Sequence, residues 1–387
     1  MYFVEKTKGI NYAKQFDYPL FAAVLFLSVI GLVVLKSAIG DPGITSTWLK
    51  QLICLCIGIV LAITISALDY KDFKTLGIAL YIFSILLLAL VLTPLGVEHK
   101  GSQSWLVLPL IGQFQPSELA KVAFAVVVPI FLERLKDGKD TGKNVVKLLI
   151  YAMLPIVLIL LQPDVGTATV FVVSLIIVLF IYGIPYKFFL IAAGAFAAAA
   201  PILWFFILPM KKFSHIRSRI MTFIFPETDL LGTGLQVNRS KMTIGSGQLF
   251  GKGLFHGIQT QNSSSVSSFN VPEKQTDFIF SVIGEELGFI GSILVIALIF
   301  FILFRCIYIA MNSRDAYGSY MVIFITSMLG FHFIENIGMC IGVMPVTGIP
   351  LPFVSQGGSS LVTNFLSVGV LLSVSMRRRK TIFNSSQ

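Results

Sequence analysis

The chain has 387 residues, of which 56% are hydrophobic and only 12% charged, about half the roughly 25% charged residues of a soluble domain. Uncharged runs over 76–97, 165–186, 188–210 and 353–376 each reach the roughly 20 residues that a bilayer-spanning helix needs, so an ordinary soluble enzyme is excluded. The net charge of +10 points to membrane topology and not to nucleic acid, because the basic residues lie mostly in short loops between apolar runs.

In chain order the span-length criterion predicts helices near 18–36, 49–68, 76–96, 116–132, 145–162, 164–184, 188–209, 277–304, 317–343 and 355–376. The expectation is an all-α polytopic membrane protein, with 1–387 as one integral membrane domain of about ten transmembrane helices and one large extracellular loop. Lys6, Lys8 and Lys14 precede the first span and no small-residue cleavage site follows it, which reads as a retained span and not a signal peptide. An even number of spans puts both termini on one side. That side collects Lys71, Lys74, Arg134, Lys136, Lys139, Lys143, Lys147, Lys187, Arg305, Arg314 and the tail Arg377, Arg378, Arg379 and Lys380, against Lys36, Lys50 and Lys100 in the opposite short loops. The positive-inside rule therefore predicts cytoplasmic termini.

The segment 211–276 is the exception, facing outward while carrying Lys211, Lys212, Arg217, Arg219, Arg239, Lys241, Lys252 and Lys274; loops this long escape the charge rule. So long a connection is either disordered or functional, and the working face is expected there. Cys54, Cys56, Cys306 and Cys340 sit in or at the ends of apolar segments and form neither a disulfide framework nor a metal cluster.

An ionisable group inside a span costs roughly 2.5–3.5 kcal/mol at the centre on insertion scales, which makes it a functional hypothesis. Glu118 and Lys121 stand three apart in Gln115-Pro116-Ser117-Glu118-Leu119-Ala120-Lys121, on one helix face, and are either a structural ion pair or part of a site. Asp164, in Gln162-Pro163-Asp164-Val165-Gly166, fits the N-cap of the sixth span, a role that leaves room for a second one. Asp277 opens the eighth span and is likewise a candidate cap; Glu285 and Glu286 follow, placing Asp277 and Glu285 roughly on one face about 12 Å apart along a continuous helix. His332, Glu335 and Asn336 form a polar face in the ninth span, read as a hydrogen-bonded helix contact with a proton relay as the alternative. Pro345, Pro350 and Pro352 forbid a regular helix, and irregular backbone at membrane depth requires a surround of protein or a water-filled cavity. With Gly357-Gly358-Ser359-Ser360 this stretch is expected to line a cavity.

The run Gly245-Ser246-Gly247-Gln248-Leu249-Phe250-Gly251-Lys252-Gly253 fails as a Walker loop, which needs glycine at the place of Ser246 and Ser or Thr at that of Gly253. It is either a plain turn or a source of backbone amides and Lys252 for an anion.

These pieces together resemble the SEDS (shape, elongation, division and sporulation) family of bacterial peptidoglycan glycosyltransferases. The matching stretches are WLVLPLIGQFQPSELAK from Trp105, QPDVGTA from Gln162, GLQVNRSKMTIGSGQLFGKG from Gly234, PEKQTDFIFSVIGEELGFIG from Pro272 and NIGMCIGVMPVTGIPLPFVSQGGSSL from Asn336. The wording over 344–353 is more similar to the rod-shape, cell-elongation branch than to the division branch. Ser104 stands where many relatives carry arginine, Lys274-Gln275 where a histidine is common, Gln356 where a tyrosine is common, and a serine-rich insertion occupies 263–268.

The resemblance implies a polymerase that transfers lipid II-linked disaccharide units between polyprenyl-pyrophosphate carriers, with Asp277 catalytic and with Glu118 and Asp164 functionally important. An inverting transfer needs one base and positive charge at the departing pyrophosphate. Lys121, Trp105, Arg239, Lys241, Lys252, Glu285 and Ser359 complete the expected substrate-binding set. No metal is assigned, although Glu118 and Asp164 could hold a divalent cation (Mg or Mn). The competing reading is a flippase or transporter of the same lipid, which would favour a midplane site. The implied setting is the bacterial cytoplasmic (inner) membrane. The expected partners are a class B penicillin-binding protein and other elongation-complex membrane proteins, with no nucleic acid.

Overall fold

The computed structural model describes residues 15–40, 45–99, 101–108, 112–138, 141–210, 213–225, 229, 232–260 and 270–378. The 263–268 insertion and Lys6, Lys8, Lys14, Lys100, Lys139, Lys211, Lys212, Arg379 and Lys380 lie outside the described residues.

Helix α1 (Tyr18–Ile39) starts where the carboxylate of Asp17 accepts the amide of Leu20 at 3.0 Å, has Pro19 in its first turn, and stops at Gly40 in the left-handed region, the usual proline-first, glycine-last asymmetry. Asp17 also takes a two-point contact from Arg305, with Nη2 at 2.6 Å, which ties the start of α1 to the far end of the helix Ile279–Met311. Thr45 caps α2 (Ser46–Ala67), and α3 (Phe73–Val91) follows. The third span thus ends at residue 91 and not at 96, because the chain turns there into a three-stranded antiparallel sheet, β1 (Gly96–His99), β2 (Ser102–Leu108) and β3 (Gly112–Phe114).

The remaining long helices are α4 (Pro116–Lys136), α5 (Thr141–Leu161), α6 (Val165–Tyr182), α7 (Tyr186–Ile202), α10 (Ile279–Met311), α11 (Ala316–Cys340) and α12 (Gly358–Met376). A π turn, Leu203–Ile207, extends α7, and the long connection folds into α8 (Ser214–Ile224) and α9 (Thr233–Ser246). Ten long helices therefore follow the order of the ten expected spans. Nine of them have membrane-crossing length and composition among the described residues; α4 is excluded by its charges.

That exclusion explains the architecture. Apart from Leu119, every side chain of α4 over 116–132 is buried, so α4 forms the protein-enclosed axis of the bundle, packed on α3, α5, α11 and α12. Glu118 and Lys121 in lipid would be costly, whereas enclosed by neighbouring helices they find polar partners. α7 is the opposite case: none of its residues is buried. At its end the guanidinium of Arg217 on α8 lies 5.6 Å from the ring centre of Trp204.

The proline-rich segment after α11 is irregular and mostly buried by protein, as its backbone requires. Asn336 of α11 donates from Nδ2 to the carbonyls of Ile349 and Asp277, both at 2.8 Å. Gln51 of α2 donates to the carbonyl of Ser355 at 3.0 Å and accepts from the amide of Gly357 at 3.1 Å. The hydroxyl of Ser355 reaches the carbonyl of Thr276 at 2.6 Å. Single polar side chains from α2 and α11 thus hold this backbone beside the start of α10.

Candidate active site

Two acidic sites lie near each other on different scaffolds. The first is closed. Nζ of Lys121 donates to Oε1 of Glu118 at 2.9 Å and to Nε2 of His332 at 3.0 Å. Nδ1 of His332 donates to the carbonyl of Met328 at 2.7 Å; a carbonyl can only accept, so Nε2 is the acceptor for Lys121. The Thr363 hydroxyl lies 3.2 Å from Oε2 of Glu118 and 2.9 Å from the carbonyl of Ser359. All four side chains of this network, Glu118, Lys121, His332 and Thr363, are buried. Ser359 participates through its backbone, at the open end of α12.

The second site is open. Asp277 sits in a turn before α10, one residue outside the cap position, which is Phe278, so the cap reading of Asp277 is corrected. The part-buried carboxylate instead faces Gly348 of the irregular segment. A Cβ built on Gly348 would lie 3.4 Å from Oδ2 of Asp277 and 4.0 Å from Nη1 of Arg219, so the carboxylate and the guanidinium flank one small gap. Arg219 comes from α8 and donates to the carbonyl of Thr347 at 2.9 Å, while the Thr347 hydroxyl donates to the buried Glu335 at 2.7 Å. Burial pulls the Arg219 guanidinium below its ordinary pKa, and the charges of Asp277 and then Asp164 work against that shift.

Asp164 caps α6: Oδ1 accepts the amide of Thr167 at 3.0 Å, and Oδ2 accepts the Thr167 hydroxyl at 2.8 Å and the Gln115 amide at 3.2 Å. Its electrostatic neighbours include Lys121, Glu118 and Arg219, so it stands between the closed site and the open one. Trp105, half-buried in β2, pairs with Val97 and lies edge-on to His99; the Ser102 hydroxyl of the same strand donates to the carbonyl of Gln162. Among the described residues no three His, Cys, Asp or Glu side chains converge as a metal site.

The glycine-rich run has a structural task. The amides of Lys252 and Gly253 donate to the carbonyls of Glu285 and Glu286, and the amides of Phe289 and Ile290 donate to those of Gln248 and Leu249. Gly288 breaks the α10 helix at φ 67° and ψ −164°, a region open to glycine alone. A Cβ there would overlap the backbone of Gly251. The continuous helix expected to align Asp277 with Glu285 is corrected as well, because Asp277 sits in the turn before α10 starts at Ile279. The buried Glu285 instead gathers the loop, accepting Nζ of Lys252 at 2.7 Å, the amides of Ile258 and Gln259 at 3.0 Å each, and the Thr260 hydroxyl at 2.7 Å. Behind the turn, burial pulls the Lys274 ammonium below its ordinary pKa, opposed by Glu285 and Glu286.

The three loop cations of the expected substrate-binding set, Arg239, Lys241 and Lys252, therefore separate. Lys252 is held by Glu285, and Arg239 donates to the carbonyl of Asn270 at 2.8 Å. Lys241 lies with Arg219 along a narrow groove between α8, α9 and residues 342–346. Arg219 was not among the expected site residues, because nothing distinguishes it from the other basic residues of 211–276 before α8 forms. Glu335 and Asn336 were visible as a polar face, but their attachment to residues 347–349 and 277 depends on tertiary structure.

This fold and site define a polytopic membrane protein with a carboxylate and a guanidinium poised over irregular, protein-enclosed backbone. The chain belongs to the FtsW/RodA/SpoVE family of cell cycle proteins, whose model matches residues 18–380, in agreement with the motif resemblance. It is 35% identical to the peptidoglycan glycosyltransferase MrdB of Escherichia coli K12, over 94% of each chain. It is 36% identical to stage V sporulation protein E of Bacillus subtilis 168, over 94% of this chain and 98% of that one. A solved chain from a peptidoglycan synthase complex that coordinates polymerization and crosslinking superposes with a TM-score of 0.76 at 31% identity, covering 93% of this chain and 97% of its own length.

Proposed function

We propose that this chain is an inverting peptidoglycan glycosyltransferase that polymerises lipid II. The observation that carries the reading is the convergence of Asp277 and Arg219 on Gly348, where a Cβ would lie 3.4 Å from the carboxylate and 4.0 Å from the guanidinium. In this mechanism the carboxylate of Asp277 takes the proton of the acceptor's 4-hydroxyl. The oxygen forms a bond to C1 of the donor sugar as the bond from C1 to the pyrophosphate oxygen breaks, converting an α to a β linkage. The polyprenyl pyrophosphate leaves with the bonding electrons, and no sugar becomes attached to the enzyme.

Arg219 and Lys241 stabilise the departing charge, because donors already in place need not reorganise during the reaction. Glu335 holds Thr347, and through it the carbonyl that orients Arg219. Glu118, Lys121 and Asp164 shape the adjoining wall, and Trp105 and Ser359 border it. Lys252 and Glu285 hold the loop, while Arg239 braces its return. A divalent cation, Mg or Mn, would be held by Asp164, with Glu118 the other candidate, and would supply positive charge to the departing pyrophosphate; activity after chelation with EDTA tests that role.

The site lies outside the cytoplasmic membrane in this reading, with both termini cytoplasmic and 211–276 external. A cysteine introduced at Ser264 should react with an impermeant reagent applied from outside and one at Gly138 should not; the reverse labelling overturns the orientation. The wording over 344–353 supports a role in cell elongation, alongside a class B penicillin-binding protein. The deciding experiment is incubation of purified protein in detergent with lipid II. Glycan polymer is expected, whereas its absence with intact, folded protein favours lipid transport.

A further inference from the structure

We propose that the groove between α3 and α4 binds one anionic phospholipid, with its phosphate at Arg134 and Lys74 and an acyl chain along α3. The groove has a volume of about 560 Å³, within the roughly 300–1,000 Å³ of ligand sites. It exists because two small residues one helical turn apart, Thr75 and Ala79, leave a hollow on α3 opposite Ile130 of α4. Ile78 and Ile82 complete apolar walls. Below the hollow the same face continues through Ile82, 51% exposed, to Leu86, 63% exposed. The spacing of Thr75, Ala79, Ile82 and Leu86 keeps all four on one helix face, so an apolar stripe descends from the mouth as a lipid tail would.

The mouth carries two cations and one carboxylate. Nζ of Lys74 contacts Glu133 and lies 4.7 Å from the ring centre of Tyr317, which anchors the ammonium at the rim. The exposed Arg134 has the ring of Phe131 beneath it, 5.9 Å away, and no acid partner among the described residues. The local charge therefore exceeds neutrality by one, matching one lipid phosphate, and the guanidinium offers the paired donors that phosphate oxygens accept. Lys74 opens α3 and Arg134 ends α4, so both lie at the bundle end where basic residues collect. Basic pockets between membrane helices at such an end are suited to anionic headgroups. A lipid here would brace α3 against the helix whose other end carries Glu118 and Lys121, independently of the reaction proposed above.

Native mass spectrometry of the full chain with dioleoylphosphatidylglycerol and, separately, dioleoylphosphatidylcholine tests the site. One tightly retained phosphatidylglycerol is expected, with the preference reduced about fivefold in Arg134→Ala, the worth of one basic residue at an anionic surface. Ala79→Phe, which fills the hollow and leaves both cations, should weaken retention of that lipid as well. Equal retention of the two lipids, or a preference that survives both substitutions, overturns the proposal. So does a photo-crosslinker at Ile82 that captures protein and not lipid in membranes. Arg134 is exposed, so its variant reads lipid binding even if Ala79→Phe fails to fold.

Discussion

The molecule holds two carboxylate–cation pairs that chemistry alone would rank as equals, and their surroundings separate them. Glu118 and Lys121 occur three residues apart on one helix, are buried on every side, and have His332 and Thr363 as further partners. Asp277 and Arg219 come from a turn and a short helix 58 positions apart in the sequence, and meet at a glycine in irregular backbone. A pair whose polar atoms are met within the protein builds structure, since removing one member strands the other in a low-dielectric interior. A part-exposed pair beside irregular backbone can exchange its partners for substrate. On the proposed reading, room beside a pair, and not proximity of opposite charges alone, marks the reaction site.

The largest expected effect breaks the closed pair. Lys121→Met should destabilise the protein by about 3–5 kcal/mol, measured by unfolding in a membrane mimetic, and Glu118→Gln in the same chain should recover part of that loss. A Lys121→Met protein as stable as the parent would remove the contrast between the sites. Asp277→Asn should lower polymerisation about 100-fold or more with little change in thermal unfolding, because Phe278 and not this residue holds the cap position; full activity would exclude it as the base. Arg219→Ala should lower kcat/KM for the lipid substrate about tenfold to 100-fold, in line with about 1.5–3 kcal/mol for a hydrogen bond to a charged group. Unchanged kinetics there would make Arg219 a strut for Thr347. The smallest effect belongs to the residue between the sites. Asp164→Ala should cost about 1 kcal/mol of stability and Asp164→Asn very little, since Asn caps nearly as well; a large activity loss in the stable Asn variant would assign Asp164 to the open site.

The spans were legible because an uncharged run of twenty residues has few alternatives to crossing a bilayer. α4 was legible as the span 116–132, but its place in the centre was not, since that follows from burying the charges that set it apart from the other spans. Asp164 was readable as a cap because capping is local, while Asp277 resembled one and proved otherwise. The break at Gly288 could not be read from glycine alone, since its cause is the approach of Gly251, 37 positions earlier in the sequence. The three strands over 96–114 are too short to impose a clear periodicity. Choosing Lys241 and Arg219 over Lys252 depended on Glu285 occupying Lys252, a contact spanning 33 positions.

A structure of the protein with a lipid-linked disaccharide bound tests the central claim most directly. The account predicts the pyrophosphate against Arg219 and Lys241, with an acceptor hydroxyl within hydrogen-bond reach of the Asp277 carboxylate. A pyrophosphate seated on Lys252 or Arg239, with Asp277 still turned toward Gly348 and away from the sugar, would contradict it.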